Sequence, residues 1–270
     1  MDDSSVTAPI DPALAVRAEI DRVDAELLDL IGKRLRLAEQ AGPARLGEGG
    51  GPLRPARDIK TLRRLLAAAP THVDPELVHE VWRALLSASV RRQGALEIIT
   101  AGGPDPAKLF DLARRHFGAA ARIQRLDDAR TALARAIEHP SVVCVLPWIG
   151  KTGAGMWWPI LAESRFSALN VIGALPMRSD AAEPDAALVA AHGVIEPAGG
   201  DVTLAIAFDS KFKLQRAMAE AGLKGAEVAR AAALVLLRLE GHLHPDDLRP
   251  ALLSKAGLDG FRVVGSYARV

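Results

Sequence analysis

Apolar side chains recur at helical spacing over the first forty residues of the chain. The repeating positions are Val16, Ile20, Val23, Leu27, Ile31, Leu35 and Ala38. This spacing of three or four residues predicts one long amphipathic helix. Asp11-Pro12 is a typical helix start and Gly42-Pro43 a typical stop. The helix between them would be roughly 45 Å long at 1.5 Å per residue.

Two shorter helices follow a glycine-rich turn at Gly47–Pro52, the first over about Ala56–Ala69 and the second from Asp74-Pro75 onward. A helix of roughly 45 Å is too long for two short helices to cover within a globule of this size. Its apolar stripe therefore needs a second molecule. We predict an all-α, three-helix domain over residues 11–96 that forms a homodimer, or alternatively a coiled-coil oligomerisation module without chemistry.

Short apolar runs alternate with helical patterns after Leu96, which favours a small α/β layer domain over residues 97–196. The predicted strands are 96–100, 122–125, 141–146, 168–175 and 187–191, and the predicted helices are 105–115, 127–138 and 157–164. The last segment, residues 201–270, reads as strand 202–208, helix 212–221, strands 227–232 and 234–240, helix 245–256 and strand 261–267. This βαββαβ order is that of the ferredoxin-like fold.

Composition narrows the range of partners. The 270 residues carry a formal net charge of only +1, which gives no electrostatic reason to expect a nucleic-acid or membrane partner. Neither a signal-peptide pattern nor an apolar run of membrane-spanning length occurs, so we expect a cytoplasmic protein. Cys144, the single cysteine, lies in an apolar strand. His242, His244 and Asp246 fall at one turn, but without a fourth ligand they favour no metal site.

The helical segment places several arginines beside apolar faces and puts Ser89 and Gln93 four residues apart on one face. Taken singly, such arginines are most often solvated surface residues. The run from Arg17 to Arg34, however, resembles the first helix of the all-α chorismate mutase family. Pro55-Ala56-Arg57-Asp58 is similar to that family's Pro-x-Arg-Glu motif, and Ser89-x-x-x-Gln93 to the Ser and Gln of its third helix.

The resemblance implies rearrangement of chorismate to prephenate without metal or cofactor, as part of aromatic amino acid and phenylalanine biosynthesis. It implies the following residue roles: the substrate carboxylates bind Arg17 of the partner chain, Arg34 and Arg57; the ether oxygen faces Arg45 and Gln93; the hydroxyl region faces Asp58 and Ser89. Arg45 stands where the family has lysine, Asp58 where it has glutamate, and Arg54 where it has aspartate.

These residue types suit the reaction. The rearrangement is a one-molecule pericyclic step that needs no proton transfer and no nucleophile. Guanidinium groups can hold the reactive conformer of a flexible dianion through paired hydrogen bonds to its carboxylates. Donors aimed at the ether oxygen, where negative charge grows as the C–O bond breaks, stabilise the transition state more than the ground state.

The remainder resembles other aromatic-pathway domains. Thr100–Pro104 is similar to a turn of prephenate dehydratases, but Leu146-Pro147-Trp148 lacks the Glu-Asn that follows in that family. Leu239–His242 and Val263–Arg269 are similar to motifs of the ACT domains fused to those enzymes. We therefore expect a chorismate mutase with a degenerate dehydratase-like region and an ACT-like domain. The alternatives are a catalytically inactive scaffold that assists another pathway enzyme, and a bifunctional mutase–dehydratase.

Overall fold

The computed structural model describes residues 12–41, 53–150, 153–178, 181, 183–191, 196–244 and 246–270. Seven α-helices lie in these ranges: α1 (Pro12–Gln40), α2 (Pro55–Ala68), α3 (Pro75–Gln93), α4 (Pro106–Phe117), α5 (Ala129–Glu138), α6 (Leu214–Glu220) and α7 (Arg249–Lys255). The three N-terminal helices are confirmed within a few residues of their predicted bounds. The predicted stop at Gly42-Pro43 and the turn at Gly47–Pro52 lie outside the described residues.

Local sequence explains where α3 begins. The Asp74 side chain accepts a hydrogen bond from the backbone N–H of Glu76 at 2.9 Å, and Pro75 occupies the first helical position. Proline loses nothing there, because the first amides of a helix have no partner within the helix. The helix is thus capped by the Asp-Pro pair that predicted its start.

The helix predicted near residues 157–164 is wrong as an α-helix. The structure has two short 3-10 turns instead, at Trp158–Ala162 and Ser164–Phe166. Their hydrogen bonds join residues three apart, as in Glu163 N to Ile160 O at 3.1 Å. Trp157 and Trp158 are both buried, so packing of these indoles on the core determines the local backbone.

Two later helices are shorter than predicted. The helix expected over residues 212–221 begins at Leu214, because Phe212 adopts a left-handed backbone with φ of 53° that an α-helix cannot include. The helix expected over residues 245–256 begins at Arg249, with Pro250 in its first turn. Proline is favoured in the first turn of a helix, so Pro250 marks the true start, and the helix predicted from the sequence began too early.

All nine strands of the described chain belong to one mixed sheet with the order β2-β1-β3-β5-β4-β9-β6-β8-β7. The strands are β1 (Glu97–Ala101), β2 (Ile123–Leu126), β3 (Val142–Pro147), β4 (Leu169–Leu175), β5 (Ala186–Ala191), β6 (Val202–Phe208), β7 (Gly225–Ala231), β8 (Leu234–Glu240) and β9 (Asp259–Tyr267). The predicted strands are confirmed, with ends that differ by up to two residues. Cys144 is buried in β3, and burial raises the pKa of its thiol to about 12.

The middle and C-terminal regions meet where β4 runs parallel to β9, at the single register pair Val171 and Gly265. A Cβ on Gly265 would lie only 2.3 Å from the Val171 carbonyl oxygen, so the close approach requires glycine. The sequence divided these regions into separate domains at residues 97–196 and 201–270. The structure joins them in one continuous sheet.

The last four strands lie side by side in the order β9-β6-β8-β7, and they follow the chain order β6-α6-β7-β8-α7-β9. This is the predicted βαββαβ arrangement. Residues of α6 and α7 share a core with β6 and β8, with Met218, Leu253, Ala207 and Leu237 among its members. The C-terminal unit thus has a core of its own on one face of the sheet.

Helices α2 and α3 pack on the sheet. Ile59 and Leu62 of α2 share a buried cluster with Val143 of β3 and Leu188 of β5. Helix α1 contacts α3 and contributes no buried residue. Eight large apolar side chains of α1 are 42–70% exposed: Leu14, Val16, Ile20, Val23, Leu27, Leu28, Leu30 and Leu37. No helix in the described ranges has both the length and the hydropathy of a membrane span.

Candidate active site

Arg34 links α1 to α3. Its Nη1 donates to the Leu85 carbonyl oxygen at 3.1 Å and to Ser89 Oγ at 2.8 Å, and the side chain is half-buried. Burial lowers the pKa of Arg34, and the negative charge of Asp58 opposes that shift. The geometry therefore brings together Arg34 and Ser89, two of the residues that the sequence placed in one site.

Ser89 and Gln93 face α1 from neighbouring turns of α3. Ser89 Oγ also donates to the Leu85 carbonyl oxygen at 2.7 Å, so its hydroxyl accepts from Arg34 and donates to its own helix. Gln93 Nε2 donates to the Ala38 carbonyl oxygen at 2.9 Å. Both side chains that the sequence expected to share a helical face do so, along the contact between α1 and α3.

Helix α2 carries two predicted site residues in opposite settings. Arg57 is exposed, while Asp58 is only 9% exposed. Asp58 Oδ2 accepts a hydrogen bond from Arg83 Nη2 at 3.0 Å. Arg54, the residue that precedes the first turn of α2, pairs with Glu196.

Arg83 is a site neighbour that sequence reasoning missed. It is 5% exposed, and its Nη1 lies 3.5 Å from Met177 Sδ, next to β4. His79 and Ser87 lie one turn away on either side of Arg83 on α3, and Ser87 Oγ donates to the His116 carbonyl oxygen at 2.8 Å. The i, i+4 spacing of His79, Arg83 and Ser87 was the available signal, since it places three polar groups on one face.

His116 is buried where α3 meets α4. Burial holds its pKa well below 6.5, and the positive charge of Arg83 and the nearby His79 lower it further. Its ring lies edge-on to Phe117 with centroids 4.6 Å apart. The polar face of α3 therefore contains one fixed cation, Arg83, beside imidazoles that stay neutral near pH 7.

Arg17 lies on the exposed part of α1, apart from the other candidates. Seventeen residues of helix separate it from Arg34, which corresponds to about 25 Å at 1.5 Å per residue. Two side chains that far apart on one straight helix cannot hold the same small molecule. Arg45, the predicted donor to the ether oxygen, lies outside the described residues.

The described residues near Arg34 offer cations and amide or hydroxyl groups. Within the described ranges no group of three or more His, Cys, Asp or Glu side chains converges as metal ligands would. His244 and Asp246 at the C-terminal turn are exposed, with 3.4 Å between Nδ1 and the carboxylate. The arrangement around Arg34 suits binding and orientation of a small anion.

Sequence comparison finds relatives of the N-terminal helical segment among known proteins. Residues 16–94 match the family model described as chorismate mutase type II. A bifunctional chorismate mutase/prephenate dehydratase from Pseudomonas aeruginosa is 30% identical over 113 residues, which is 40% of this chain and 31% of that protein. An intracellular chorismate mutase from Mycobacterium tuberculosis is 35% identical over 66 residues, 24% of this chain and 63% of that protein.

The chain thus spans less than two thirds of the length of these curated relatives. Among solved structures, a prephenate dehydratase from Streptococcus mutans aligns with a TM-score of 0.43 and 13% identity, over 65% of this chain and 100% of that one. The sequence match to the mutase family covers the three helices that hold Arg34, Ser89 and Gln93. Residues 16–94 are therefore similar to the chorismate mutase type II family over all three N-terminal helices.

Proposed function

We propose that this protein is a chorismate mutase, an isomerase that rearranges chorismate to prephenate within two interlocked copies of its N-terminal helices. The observation that carries the proposal is the contact of Arg34 with Ser89 between α1 and α3, inside the segment that matches the family. Substrate binding there needs cations that grip two carboxylates, and this contact fixes one of them.

The geometry of α1 supports dimerisation. Arg17 is about 25 Å along the helix from Arg34, so it serves a site only if that site belongs to a second chain. The exposed apolar side chains of α1 give the second chain a surface to cover. Isolated exposed apolar residues are ordinary, but six of the eight share one face of α1 and form a stripe of the kind that marks an interface: Val16, Ile20, Val23, Leu27, Leu30 and Leu37.

The residues then take the following roles. Arg17 of the partner, Arg34 and Arg57 bind the two carboxylates, while Asp58 and Ser89 face the hydroxyl region. Gln93 and Arg45 donate to the ether oxygen, on which negative charge develops as the C–O bond breaks. The rearrangement consumes one molecule and yields one molecule, so neither cofactor nor metal enters the balance.

The test is complementation between two inactive variants. Arg17→Ala and Arg34→Ala each lose activity alone, because each removes one carboxylate contact from every site. Mixed dimers place an intact Arg34 and an intact partner Arg17 in one of their two sites. Random exchange makes half of the dimers mixed, so activity recovers to about one quarter of wild type.

Chorismate consumption by each variant and by the refolded mixture gives the measurement. Matched controls are each variant refolded alone and the double variant mixed with wild type. If the mixture regains no activity although both variants are dimeric, the site is not shared between chains. Full activity in Arg17→Ala alone contradicts the role given to that residue.

We propose further that residues 11–96 form the mutase unit, 97–196 a degenerate dehydratase-like α/β unit and 201–270 an ACT-type unit. The βαββαβ order of the last four strands supports the ACT-type assignment. We also place the protein in the cytoplasm, which agrees with the name of the mycobacterial relative.

Two specific observations favour other functions. The Pseudomonas relative is named as bifunctional, which favours added dehydratase activity. The ion pairs of Asp58 with Arg83 and of Arg54 with Glu196 occupy side chains near the site, which favours a non-catalytic scaffold. Phenylpyruvate formed from prephenate would support the first. A failure to bind a transition-state analogue would support the second.

A further inference from the structure

A cavity of about 260 Å³ lies where the end of the middle region meets the C-terminal unit, and none of the residues proposed for the mutase site lines it. A cavity of roughly 150 Å³ is large enough to bind benzene, so this one has room for a ring-sized organic molecule. Its lining combines two guanidinium groups, a phenol and apolar surface, among them Arg238, Arg269, Tyr267, Val202 and Pro184. Such a combination is typical of small-molecule sites, in which a few polar groups orient a ligand between apolar walls.

The cavity lies on the face of β6, β8 and β9 that is opposite α6 and α7. Val202 of β6 is paired with Tyr267 of β9, and Leu204, two residues further along β6, is paired with Arg238 of β8. Alternate residues of a strand point to the same face of a sheet, so Arg238 and Tyr267 share one face. Ala205 points to the other face, into the core beneath α6 and α7. The sheet itself therefore brings the guanidinium and the phenol together.

Beside the cavity, the Glu183 carboxylate contacts Arg238. Its Oε1 accepts a hydrogen bond from Arg238 Nη1 at 2.7 Å, and its Oε2 accepts one from Trp148 Nε1 at 3.1 Å. The Trp148 ring lies edge-on to the Tyr267 ring, with centroids 5.0 Å apart. A carboxylate thus fits between a guanidinium and an indole N–H, next to an aromatic wall of the cavity, and each of its oxygens has a donor there.

A ligand carboxylate can replace Glu183 at this position. The side chains of Arg238 and Glu183 are 44% and 57% exposed, and ion pairs this exposed contribute little to stability. Burial raises the pKa of Tyr267, so its hydroxyl keeps its proton at neutral pH and remains a donor. Arg269, whose Nη1 donates to the Ala181 carbonyl oxygen at 2.6 Å, adds a second positive charge to the cavity wall. The lining therefore favours an organic anion.

We propose that this cavity binds a small organic carboxylate. The carboxylate group of the ligand takes the place of Glu183 between Arg238 and Trp148, and its apolar body packs against Tyr267 and Val202. Arginine suits this role because its planar fork matches the two oxygens of a carboxylate. Glu183 then acts as an internal competitor for the site. The proposal is independent of the proposed mutase function, since the two sites share no residue.

The test is calorimetric titration of the full chain with benzoate, which joins a carboxylate to a ring-sized apolar body. Arg238→Met should weaken binding on the order of tenfold or more, because it removes a charge-assisted hydrogen bond. Glu183→Gln should strengthen binding about two- to fivefold, because the competing charge of an exposed pair is gone. A purely structural role of the Glu183–Arg238 pair predicts no such gain. In NMR spectra, benzoate should shift the indole N–H signal of Trp148, which locates the site.

The controls separate charge, shape and place. Benzamide, a neutral molecule of the same shape, and inorganic phosphate, an anion without an apolar body, should each bind on the order of tenfold more weakly than benzoate or less tightly still. Arg216 and Glu220 of α6 form an exposed ion pair at 2.6 Å that does not line the cavity. Arg216→Met and Glu220→Gln should therefore leave benzoate affinity unchanged.

Four results would overturn the proposal: no benzoate binding by wild type and Glu183→Gln, unchanged affinity in folded Arg238→Met, no gain of affinity in Glu183→Gln, or equal binding of benzoate, benzamide and phosphate. If Arg238→Met does not fold, Arg238→Lys takes its place. Lysine keeps the charge but lacks the planar fork, so affinity should still fall. Unchanged affinity in Arg238→Lys would then count against the site.

Discussion

Replacing two apolar residues of α1 should separate the proposed dimer and abolish the proposed mutase activity together. Ile20 and Leu27 lie two turns apart on one face and are 53% and 51% exposed in the single chain. Full burial of such a side chain stabilises by about 1.5–3 kcal/mol, so burying the exposed half in a dimer contributes about 0.8–1.5 kcal/mol each.

The double variant Ile20→Gln/Leu27→Gln removes this contribution from four side chains per dimer, about 3–6 kcal/mol in total. Each 1.4 kcal/mol is a factor of ten in affinity, so the dissociation constant should rise by roughly 10² to 10⁴. Glutamine keeps a high helix propensity, so α1 itself remains helical. The loss should fall on association and leave the fold of each chain intact.

Sedimentation velocity over a range of concentrations measures the dissociation constant, and chorismate turnover per chain is measured at the same concentrations. Activity should follow the fraction of dimer. Leu248→Gln is the control, since Leu248 is 82% exposed but belongs to the C-terminal region. The reasoning is refuted if the variant dissociates like wild type, or if dissociated chains keep full activity.

Two further predictions concern stability. The pKa of His116 is held below 6.5 by burial and by the nearby Arg83 and His79, so the unfolded chain binds more protons at this residue than the folded chain does. The free energy of unfolding should therefore fall as pH drops below about 6.5, by up to about 1.4 kcal/mol per pH unit. Urea titrations from pH 7.5 to 5.5 measure this slope. The slope should become smaller in His116→Leu and stay unchanged when the exposed His72 is replaced. An equal slope in the two variants contradicts the assignment to His116. Asp74→Ala should cost about 1 kcal/mol by removing the α3 cap, while Asp74→Asn should cost less; equal losses would mean that the cap is not the cause.

The N-terminal helices could be predicted closely from the sequence because their signals are local. Asp74-Pro75 marks a start by capping chemistry, and the apolar repeat of α1 marks one face by its period. The same logic placed Ser89 and Gln93 on one face, where the structure has them. The exposed apolar stripe on α1 was also expected, because α1 is too long for the two shorter helices to cover.

Other features depend on contacts between distant parts of the chain. The pairing of β4 with β9 rests on one approach of Gly265 to Val171, and nothing near either residue specifies the other. The ion pair of Asp58 with Arg83 depends on how α2 and α3 pack. Trp157 and Trp158 are compatible with several local structures. Their burial against the core, which the local sequence does not reveal, determines the non-α-helical backbone there.

The packing of α2 on the sheet has a consequence for modularity. Arg63 of α2 donates to the carbonyl oxygens of Ala198, Gly199 and Arg269, so a helix of the mutase segment is fastened to the other end of the polypeptide. Ile59 and Leu62 complete a core whose other side is the sheet. Excision at residue 96 would expose that apolar face to water. The N-terminal helical segment therefore depends on the sheet of its own chain, which restricts its transfer to other proteins as an independent domain.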